Sequence, residues 1–357
     1  MTAISGMLLG TQIVLAVFMI VFCLQNYGGG PRVSRLNKDD ELAGIKALRG
    51  VKLAEPLSEK TRPRAVTDII GQEAGMKALM AAVCGPNPAH VIIYGPPGCG
   101  KTAAARAVFL ASTSFGKGAP FIELDGTVLQ FDERGVADPL IGSVHDPIYQ
   151  GAGAHGAAGV PYPRPGAVTK AHGGILFIDE IGELNALQMN RLLKVLEDRR
   201  VHLHSAYYAK TDRSIPACIH DIFENGLPAD FRLVGATTKS PDSLPEALRS
   251  RCRAVYFEAL GKDDLALLAR RACAGVSLSF ENGVPGRAAD FAANGRDAVN
   301  IIQTAASLAA LEGRHTLNVA DVEWAAASGK CQIQPGRFIL TGGAEFKSNS
   351  GNVHKSP

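Results

Sequence analysis

A glycine-rich segment with a lysine and a threonine, GPPGCGKT, supplies the residue types that bind a nucleotide phosphate. It follows the apolar run HVIIY and precedes an alanine-rich stretch that favours a helix, so backbone N–H groups can surround phosphate oxygens at a helix start. In such a loop Lys101 contacts the β- and γ-phosphates, and the Thr102 hydroxyl holds Mg²⁺. The predicted phosphate-binding residues are Gly95, Pro96, Pro97, Gly98, Cys99, Gly100, Lys101 and Thr102.

A second apolar run, GGILFIDE, ends in two carboxylates. Asp179 is placed to bind Mg²⁺ through water, and Glu180 is placed to polarise the attacking water. Phosphoryl transfer needs a positioned nucleophile and a neutralised leaving group more than covalent help. Acidic residues at a strand end are weak evidence alone, but together with the phosphate loop they predict ATP and Mg²⁺ as ligands.

Further polar residues lie beyond these two motifs. The run FRLVGATT places Thr238, with Thr237 beside it, next to the two carboxylates. The segment LPEALRSRC offers Arg249 and Arg251 as cations for transition-state charge, and a neighbouring subunit can supply such an arginine. Arg296 in NGRDAVN lies at a predicted helix start in the C-terminal part of the chain, residues 261–330, and is placed to reach the same nucleotide from that side.

Short β-rich runs alternate with helical stretches between residues 61 and 260. Strands are predicted at HVIIYG, PFIELDG, GILFIDE, FRLVGATT and AVYFEAL, with helices at Gly75–Val83, Thr102–Ala111 and Ala186–Asp198. This alternation predicts an α/β domain with a parallel sheet flanked by helices. Residues 261–330 contain amphipathic segments and no evident strand, which predicts a small all-α lid domain. Residues 331–357 lose this periodicity and predict a disordered tail.

The N-terminal region, residues 1–30, contains a long uncharged apolar run. As a helix, Ile4–Leu24 would span roughly 31 Å, close to the ~30 Å hydrocarbon core of a membrane. A signal peptide would have positive charge before the run, but Arg32, Arg35 and Lys38 follow it. These features predict a single-pass transmembrane helix in the cell membrane, with the ATPase domain on the cytoplasmic side. Residues 31–60 are predicted to be a charged linker.

Composition restricts the function classes. The chain has 357 residues, enough for two modest domains, and its net charge of +3 is too small to indicate nucleic acid by itself. Its seven cysteines are scattered without a CxxC pair, so neither a disulfide framework nor a zinc ribbon is expected.

Several motifs in a fixed order resemble those of a known class. The segments RPRAVTDIIGQE, GPPGCGKT, LFIDE, GATT, RSRC and NGRDAVN look like those of an AAA+ P-loop ATPase. Longer segments, including FDERGVADPLIGSVHDPIYQGAG and HGGILFIDEIGELNALQMNRLLKVLEDR, are similar to the ATPase part of membrane-anchored bacterial LonB proteases, the sporulation Lon type. The resemblance extends to about Ser328.

The resemblance implies a role for each candidate residue. These roles are Walker A for Lys101 and Thr102, Walker B for Asp179 and Glu180, sensor 1 for Thr238, trans finger for Arg251, sensor 2 for Arg296 and the adenine pocket for Ile69 and Ile70. An arginine finger acts only if it reaches a neighbour's γ-phosphate, so the resemblance predicts a homo-hexameric ring.

The serine-lysine peptidase domain of LonB proteases has no counterpart here, since no GPSAG-like serine loop occurs in the sequence. The leading expectation is an ATP-driven motor that unfolds and translocates unfolded or tagged proteins, with a separate Lon-type peptidase subunit as a possible partner. A nucleic-acid motor of the branch-migration type and a non-motor ATP-binding remnant or regulatory subunit are the alternatives. The near-neutral charge and the predicted anchor argue against the nucleic-acid motor.

Weaker signals lie in two other segments. Residues 128–172 are rich in glycine and proline and interrupt the sheet as a long insert, which in a ring ATPase would face the central channel. Tyr149, with Ile148 beside it, is the candidate to hold an unfolded chain, although a surface-packed tyrosine explains it nearly as well. The run VHLHSAYYAK predicts a hairpin strand with His202 and His204 on a solvated face rather than a metal pair.

Overall fold

The computed structural model describes residues 55–112, 115–116, 118–131, 138–145, 160–212 and 215–330, and the described residues from Pro56 onward belong to one structural unit. Its strands are β1 (His90–Tyr94), β2 (Phe121–Asp125), β3 (Gly142–His145), β4 (Tyr162–Pro165), β5 (Ile175–Asp179), β6 (Arg200–Val201), β7 (Leu227–Pro228), β8 (Arg232–Thr237), β9 (Cys252–Tyr256), β10 (Ser279–Phe280) and β11 (Thr316–Leu317). Its helices are α1 (Leu57–Lys60), α2 (Glu73–Cys84), α3 (Lys101–Ala111), α4 (Ala167–Lys170), α5 (Ala186–Asp198), α6 (Ala217–Asn225), α7 (Glu246–Arg249), α8 (Lys262–Ala274), α9 (Val284–Phe291), α10 (Gly295–Leu311) and α11 (Val319–Lys330).

A parallel sheet with the strand order β2-β5-β8-β1-β9 forms the α/β part of the described residues. Its central strands are continuous apolar runs, and Val91, Ile92 and Ile93 of β1 are almost fully buried. Such strands require cover on both faces, since a half-exposed strand would alternate apolar and polar residues. The predicted α/β fold with a parallel sheet flanked by helices is therefore confirmed.

Different helices cover the two faces of the sheet. On one face Leu79 of α2 and Val108 of α3 pack against Ile93 and Phe177. On the other face Leu192 of α5 belongs to the cluster that contains the other side chains of β1 and β5. Alternate residues of each strand thus enter different cores, because successive side chains point to opposite faces.

Helix α5 has a defined beginning and end. Asn185 caps it by accepting a hydrogen bond from the Gln188 backbone N–H at 2.8 Å, the arrangement of a capping box. The Gln188 amide donates to the Leu129 carbonyl at 2.7 Å, and Arg191 pairs with Asp138 at 2.9 Å. The helix ends at Arg199, whose φ of 54° is left-handed. These contacts attach α5 to two residues in the first part of the predicted insert.

A helical subdomain follows β9. Helices α8 to α11 enclose a small apolar core that includes Ala272, Ile302 and Val322. Within this region the two-residue strands β10 and β11 pair in parallel, so the expectation of a lid without strands was wrong. The sequence reasoning missed them because two residues give no recognisable period-2 pattern. Leu57 of α1, within the range predicted as linker, is buried in the same core.

The insert is less irregular than the sequence suggested. Strands β3 and β4 pair antiparallel, with His145 opposite Tyr162, and α4 follows directly. Gly142 adopts a φ of 109° at the strand start, where a Cβ would lie 2.4 Å from the Arg164 carbonyl oxygen. Tyr149 and Ile148 lie outside the described residues.

The segment predicted as a hairpin strand also differs from the expectation. Only Arg200 and Val201 form a strand there, and they pair with β7 after an intervening helix, so the segment is not a hairpin. His202 and His204 are both exposed.

No helix within the described parts of residues 55–330 is long and apolar enough to cross a membrane. The predicted anchor, Ile4–Leu24, lies outside the described residues, as do nearly all of the charged linker and the whole predicted tail.

Candidate functional site

The phosphate loop connects the end of β1 to the start of α3. Gly98 and Gly100 adopt φ angles of 74° and 94°, a conformation that L side chains rarely take. Gly100 is the residue immediately before α3, so the loop carries the backbone N–H groups of the first turn toward its concave side. The helix start and the loop together form an anion-binding concavity.

Lys101 is buried, with 7% of its surface exposed, although it carries a charge. Its ammonium donates hydrogen bonds to the Gly95 carbonyl at 2.8 Å and to the Pro96 carbonyl at 3.0 Å. These contacts offset the cost of taking a charged group out of water and hold the ammonium inside the loop. Burial also raises the pKa of the neighbouring Cys99 thiol, which therefore stays neutral at physiological pH.

A hydroxyl and a carboxylate from two different motifs meet beside the loop. The Thr102 hydroxyl donates to Asp179 Oδ2 at 3.0 Å, and Asp179 is the last residue of β5. Both groups offer the hard oxygen ligands that Mg²⁺ prefers. The two residues predicted to share the metal are thus adjacent in the structure.

Glu180 has an unusual backbone conformation for a residue with a side chain. Its φ and ψ are 46° and 50°, in the left-handed region, which costs of order 1–3 kcal/mol. Its carboxylate accepts hydrogen bonds from the Thr238 backbone N–H at 3.1 Å and the Thr238 hydroxyl at 3.2 Å. Thr237 is instead fully buried, and its hydroxyl oxygen accepts from the Lys239 N–H. Of the two threonines, Thr238 is therefore the one in contact with the candidate catalytic carboxylate.

A turn after β2 supports this strained backbone and was missed by the sequence reasoning. The Gly126 N–H donates to the Asp179 carbonyl at 2.8 Å, and a Cβ at Gly126 would lie 2.4 Å from the Glu180 carbonyl oxygen. Asp125 Oδ1 shapes the turn by accepting from the Thr127 N–H at 2.8 Å and from its hydroxyl at 2.6 Å. The signal was present in the sequence, because Asp-Gly-Thr directly after a strand is typical of a side-chain-stabilised turn.

The lid contacts the phosphate loop through the start of α10. Asn294 caps this helix by accepting from the Asp297 N–H at 3.0 Å. A Cβ at Gly98 would lie 2.6 Å from Asn294 Oδ1, so the cap and the loop are in direct contact. The first turn of α10 brings Arg296 to the cleft, where its side chain is exposed. The structure therefore places the predicted sensor-2 arginine across from the loop.

The residues predicted to surround the adenine also line the cleft. Ile69 and Ile70 lie on its wall, and Gln72 holds the following segment by exchanging two hydrogen bonds with Glu258, at 2.7 and 3.0 Å. The guanidinium of Arg271 on α8 donates to the carbonyl of Asp68 at 2.5 Å. The adenine-side segment is thus bonded to the residues that follow β9 and to the lid.

The cleft between loop, sheet edge and lid has a volume of about 570 Å³, within the range of ordinary ligand sites. Its lining combines two isoleucines with the lysine, the threonine and the carboxylates of the phosphate loop and β5. Apolar side chains suit the flat faces of an aromatic base, and the cation and hard oxygen groups suit a triphosphate with Mg²⁺, so the residues present fit ATP.

The remaining predicted arginines lie elsewhere. Arg251 immediately precedes β9, at the amino edge of the sheet, whereas the phosphate loop follows the carboxyl end of β1. β9 has five residues, so the two edges are separated by about 16 Å at ~3.3 Å per residue. Arg249 is paired with Asp242 at 3.6 Å. The structure therefore brings together the predicted site residues apart from Arg251, which does not line its own cleft, and Tyr149, which is outside the described residues.

The Walker A and Walker B residues lie together at the carboxyl edge of a parallel sheet, and a helical lid borders the cleft that they form. This arrangement defines an ATPase of the AAA+ class. The family model described as magnesium chelatase, subunit ChlI, matches residues 65–256. The chain belongs to this family.

Among curated proteins, the chain is 52% identical over 326 residues to Lon protease 2 of Bacillus subtilis, covering 88% of this chain and 59% of that protein. It is 27% identical over 219 residues to the uncharacterised protein YifB of Escherichia coli, covering 59% of this chain and 38% of that protein. The chain thus spans less than two thirds of the length of either relative.

Among solved structures, the chain is similar to the Thermotoga maritima RuvB Holliday junction branch migration motor, with a TM-score of 0.50 and 21% identity. The likeness covers 75% of this chain and 73% of that chain. At this level of identity the likeness supports the fold alone.

Proposed function

We propose that this chain is the ATP-driven component of a Lon-type protease, which unfolds and translocates protein substrates. The observation that carries the proposal is the catalytic arrangement at the carboxyl edge, where Thr102 contacts Asp179 and Thr238 contacts Glu180. The 52% identity to Lon protease 2 supports the protein substrate class.

The chain's own residues account for the steps of hydrolysis. The loop N–H groups and the Lys101 ammonium bind the phosphates, and the Glu180 carboxylate orients and polarises the attacking water. Thr238 holds that carboxylate by two hydrogen bonds, so that its lone pairs face a defined direction. Mg²⁺, held by Thr102 and Asp179, would supply neutralisation of the phosphate charge.

The position of Arg251 supports a ring. An arginine about 16 Å from its own phosphate loop reaches a γ-phosphate only when a second copy presents its cleft to this edge. We therefore propose a homo-hexamer in which Arg251 completes the neighbour's site. Glu180→Gln subunits keep Arg251, and Arg251→Ala subunits keep Glu180. A mixture of the two is therefore expected to show ATP turnover that neither variant shows alone.

The substrate class is tested by stimulation of ATP turnover. Unfolded casein is expected to raise the rate of the wild-type chain, and duplex DNA is expected to leave it unchanged. Tyr149→Ala is expected to lose the stimulation and keep the basal rate, because the proposed contact with substrate is remote from the phosphates. Tyr207→Ala serves as the matched control, since Tyr207 is an exposed tyrosine on another segment. Stimulation by DNA and not by casein would support a nucleic-acid motor instead.

We also propose that Ile4–Leu24 anchors the chain in the cell membrane, with the ATPase domain in the cytoplasm, and that a Lon-type peptidase subunit is its partner. The uncharged run and the arginines that follow it support the first proposal. The full chain is expected to resist carbonate extraction from membranes, and deletion of residues 1–30 is expected to release it. Extraction of the full chain by carbonate would contradict the anchor.

The proposed peptidase partner is tested by casein cleavage, which is expected to depend on adding the peptidase subunit.

A further inference from the structure

The last turn of α5 carries a carboxylate in an electrostatically unfavourable position. Glu197 lies one residue before the end of the helix, where the partial negative charge of the helix C-terminus disfavours an anion. Its Oε1 accepts a hydrogen bond from Nη2 of Arg251, so the arginine offsets this cost.

A second contact fixes the same guanidinium. Nη1 of Arg251 donates to the Ala247 carbonyl at 2.8 Å, and Ala247 belongs to α7. The two bonds use two of the five N–H donors of the guanidinium, and the rest are available for an anion. Its orientation is therefore set by contacts to two helices, while donors remain for a phosphate.

The pair contributes little to the stability of the fold. The side chains of Arg251 and Glu197 are 33% and 55% exposed, and ion pairs at such exposure are worth about 0–1 kcal/mol. A buried scaffold function is thus a poor explanation for the contact. Fixing a long side chain before it meets a phosphate does lower the entropy lost in that encounter.

We propose that Glu197 is a positioning residue for Arg251, holding its guanidinium in the orientation that reaches the neighbouring subunit's nucleotide. This inference rests on the proposed ring and on the trans role of Arg251. It assigns a function to a residue that contacts neither the nucleotide cleft of its own chain nor the phosphates.

The mixed-subunit assay isolates this role. The parent mixture contains two kinds of subunit. Glu180→Gln subunits supply Arg251, and Arg251→Ala subunits supply the intact nucleotide site. Glu197→Gln is then added to one kind of subunit at a time. On the subunit that supplies Arg251, it is expected to lower the restored kcat about tenfold with little change in KM. On the Arg251→Ala subunit it is expected to have no effect, because that subunit has no guanidinium at this position to orient.

Two controls separate positioning from folding. Asp242→Asn on the subunit that supplies Arg251 removes the exposed ion pair with Arg249, the last residue of α7, and is expected to leave the restored rate unchanged. Glu197→Asp, which keeps the carboxylate, is expected to retain more of the rate than Glu197→Gln. Thermal unfolding midpoints of all variants are expected to agree with that of the wild-type chain.

The outcomes distinguish this inference from the proposed function. A restored rate that is unchanged or raised by Glu197→Gln on the subunit that supplies Arg251 would overturn the positioning role and leave the ring intact. An equal loss from either placement would show a structural effect and would also overturn it. Absence of any restored turnover in the parent mixture would overturn the trans role of Arg251, and the inference with it.

Discussion

The two edges of the central sheet differ in how their charged groups are held. At the carboxyl edge Lys101 is 7% exposed and Asp179 bonds to Thr102, within a loop that requires left-handed glycines. At the amino edge Arg251 and Glu197 form an exposed pair, and His90 lies half-buried at the start of β1. The charged groups of the first edge pair with one another around the phosphate loop, whereas Arg251 at the second edge lies about 16 Å from the loop of its own chain.

This difference indicates what each edge requires. A site that forms within one chain depends on backbone conformations and close contacts, so small steric changes have large effects. In the proposed ring the amino edge acts on a second copy through the exposed Arg251–Glu197 pair, so changes in that pair are expected to alter activity with little effect on the fold. The experiments below test this contrast, beginning with the largest expected effect.

Glu180→Gln is expected to lower the ATP turnover rate by about 10²–10⁴-fold, because an amide does not polarise the attacking water. ATP binding is expected to be preserved, since the phosphate loop is unchanged. Turnover under saturating ATP and binding of a fluorescent ATP analogue measure the two effects. Turnover equal to that of the wild-type chain would remove Glu180 from the mechanism.

Gly126→Ala is expected to lower kcat by about 10- to 100-fold with a smaller effect on ATP binding. The added Cβ would lie 2.4 Å from the Glu180 carbonyl oxygen, so the carboxylate must shift, and shifts of this size are costly in active sites. Gly116→Ala is the control, because a Cβ there meets no atom within 4 Å. A kcat reduced equally by both substitutions would exclude the supporting role of the turn.

Lowering the pH is expected to destabilise the amino edge through His90. Burial, and secondarily Arg232, lower its pKa from 6.5 to about 4, so the unfolded chain binds the proton more readily than the folded chain. The stability that neutral His90 provides is present above pH 6.5 and is lost as the pH falls toward 4, by on the order of 1–3 kcal/mol.

His90→Asn tests this pH dependence. The Asn carbonyl can replace Nδ1, which accepts from the Leu233 N–H at 3.0 Å, and it does not titrate. Urea midpoints at pH 7.5 and 4.5 are expected to differ less for this variant than for the wild-type chain. Identical pH dependence of the two chains would contradict the assignment.

Asn294→Ala is expected to cost about 1 kcal/mol through loss of the α10 cap. For a chain of this size the thermal midpoint would fall by about 1–2 °C. Asn294→Ser keeps an uncharged acceptor at the cap and is the matched control. Because Asn294 Oδ1 contacts the Gly98 region, ATP affinity is also expected to fall for the alanine variant.

The sequence predicted the carboxyl edge well because its chemistry is encoded locally. GPPGCGKT and the strand ending in Asp179 and Glu180 each combine a buried strand with a polar terminus, and both were found where expected. The choice between Thr237 and Thr238 was left open, since it depends on which hydroxyl faces a residue on another strand.

The sequence could not predict contacts between distant segments that leave no periodic signal. The contact of the Gly126 turn with Asp179, the Glu197 pair with Arg251 and the two-residue strands of the lid all depend on residues brought together by the finished fold. Each involves one or two residues per segment, too few for a pattern to register.

The burial of Leu57 has a mechanical consequence. This side chain is part of the lid core, and the same segment lines the nucleotide cleft with Ser58, Glu59, Thr61, Arg62 and Pro63. A pulling force applied to the chain ahead of Pro56 is therefore transmitted first to the lid and to the rim of the cleft, before it reaches the sheet. Strain in that part of the chain would therefore act on the two parts of the molecule that enclose the nucleotide cleft before it reaches the strands that carry Asp179 and Thr238.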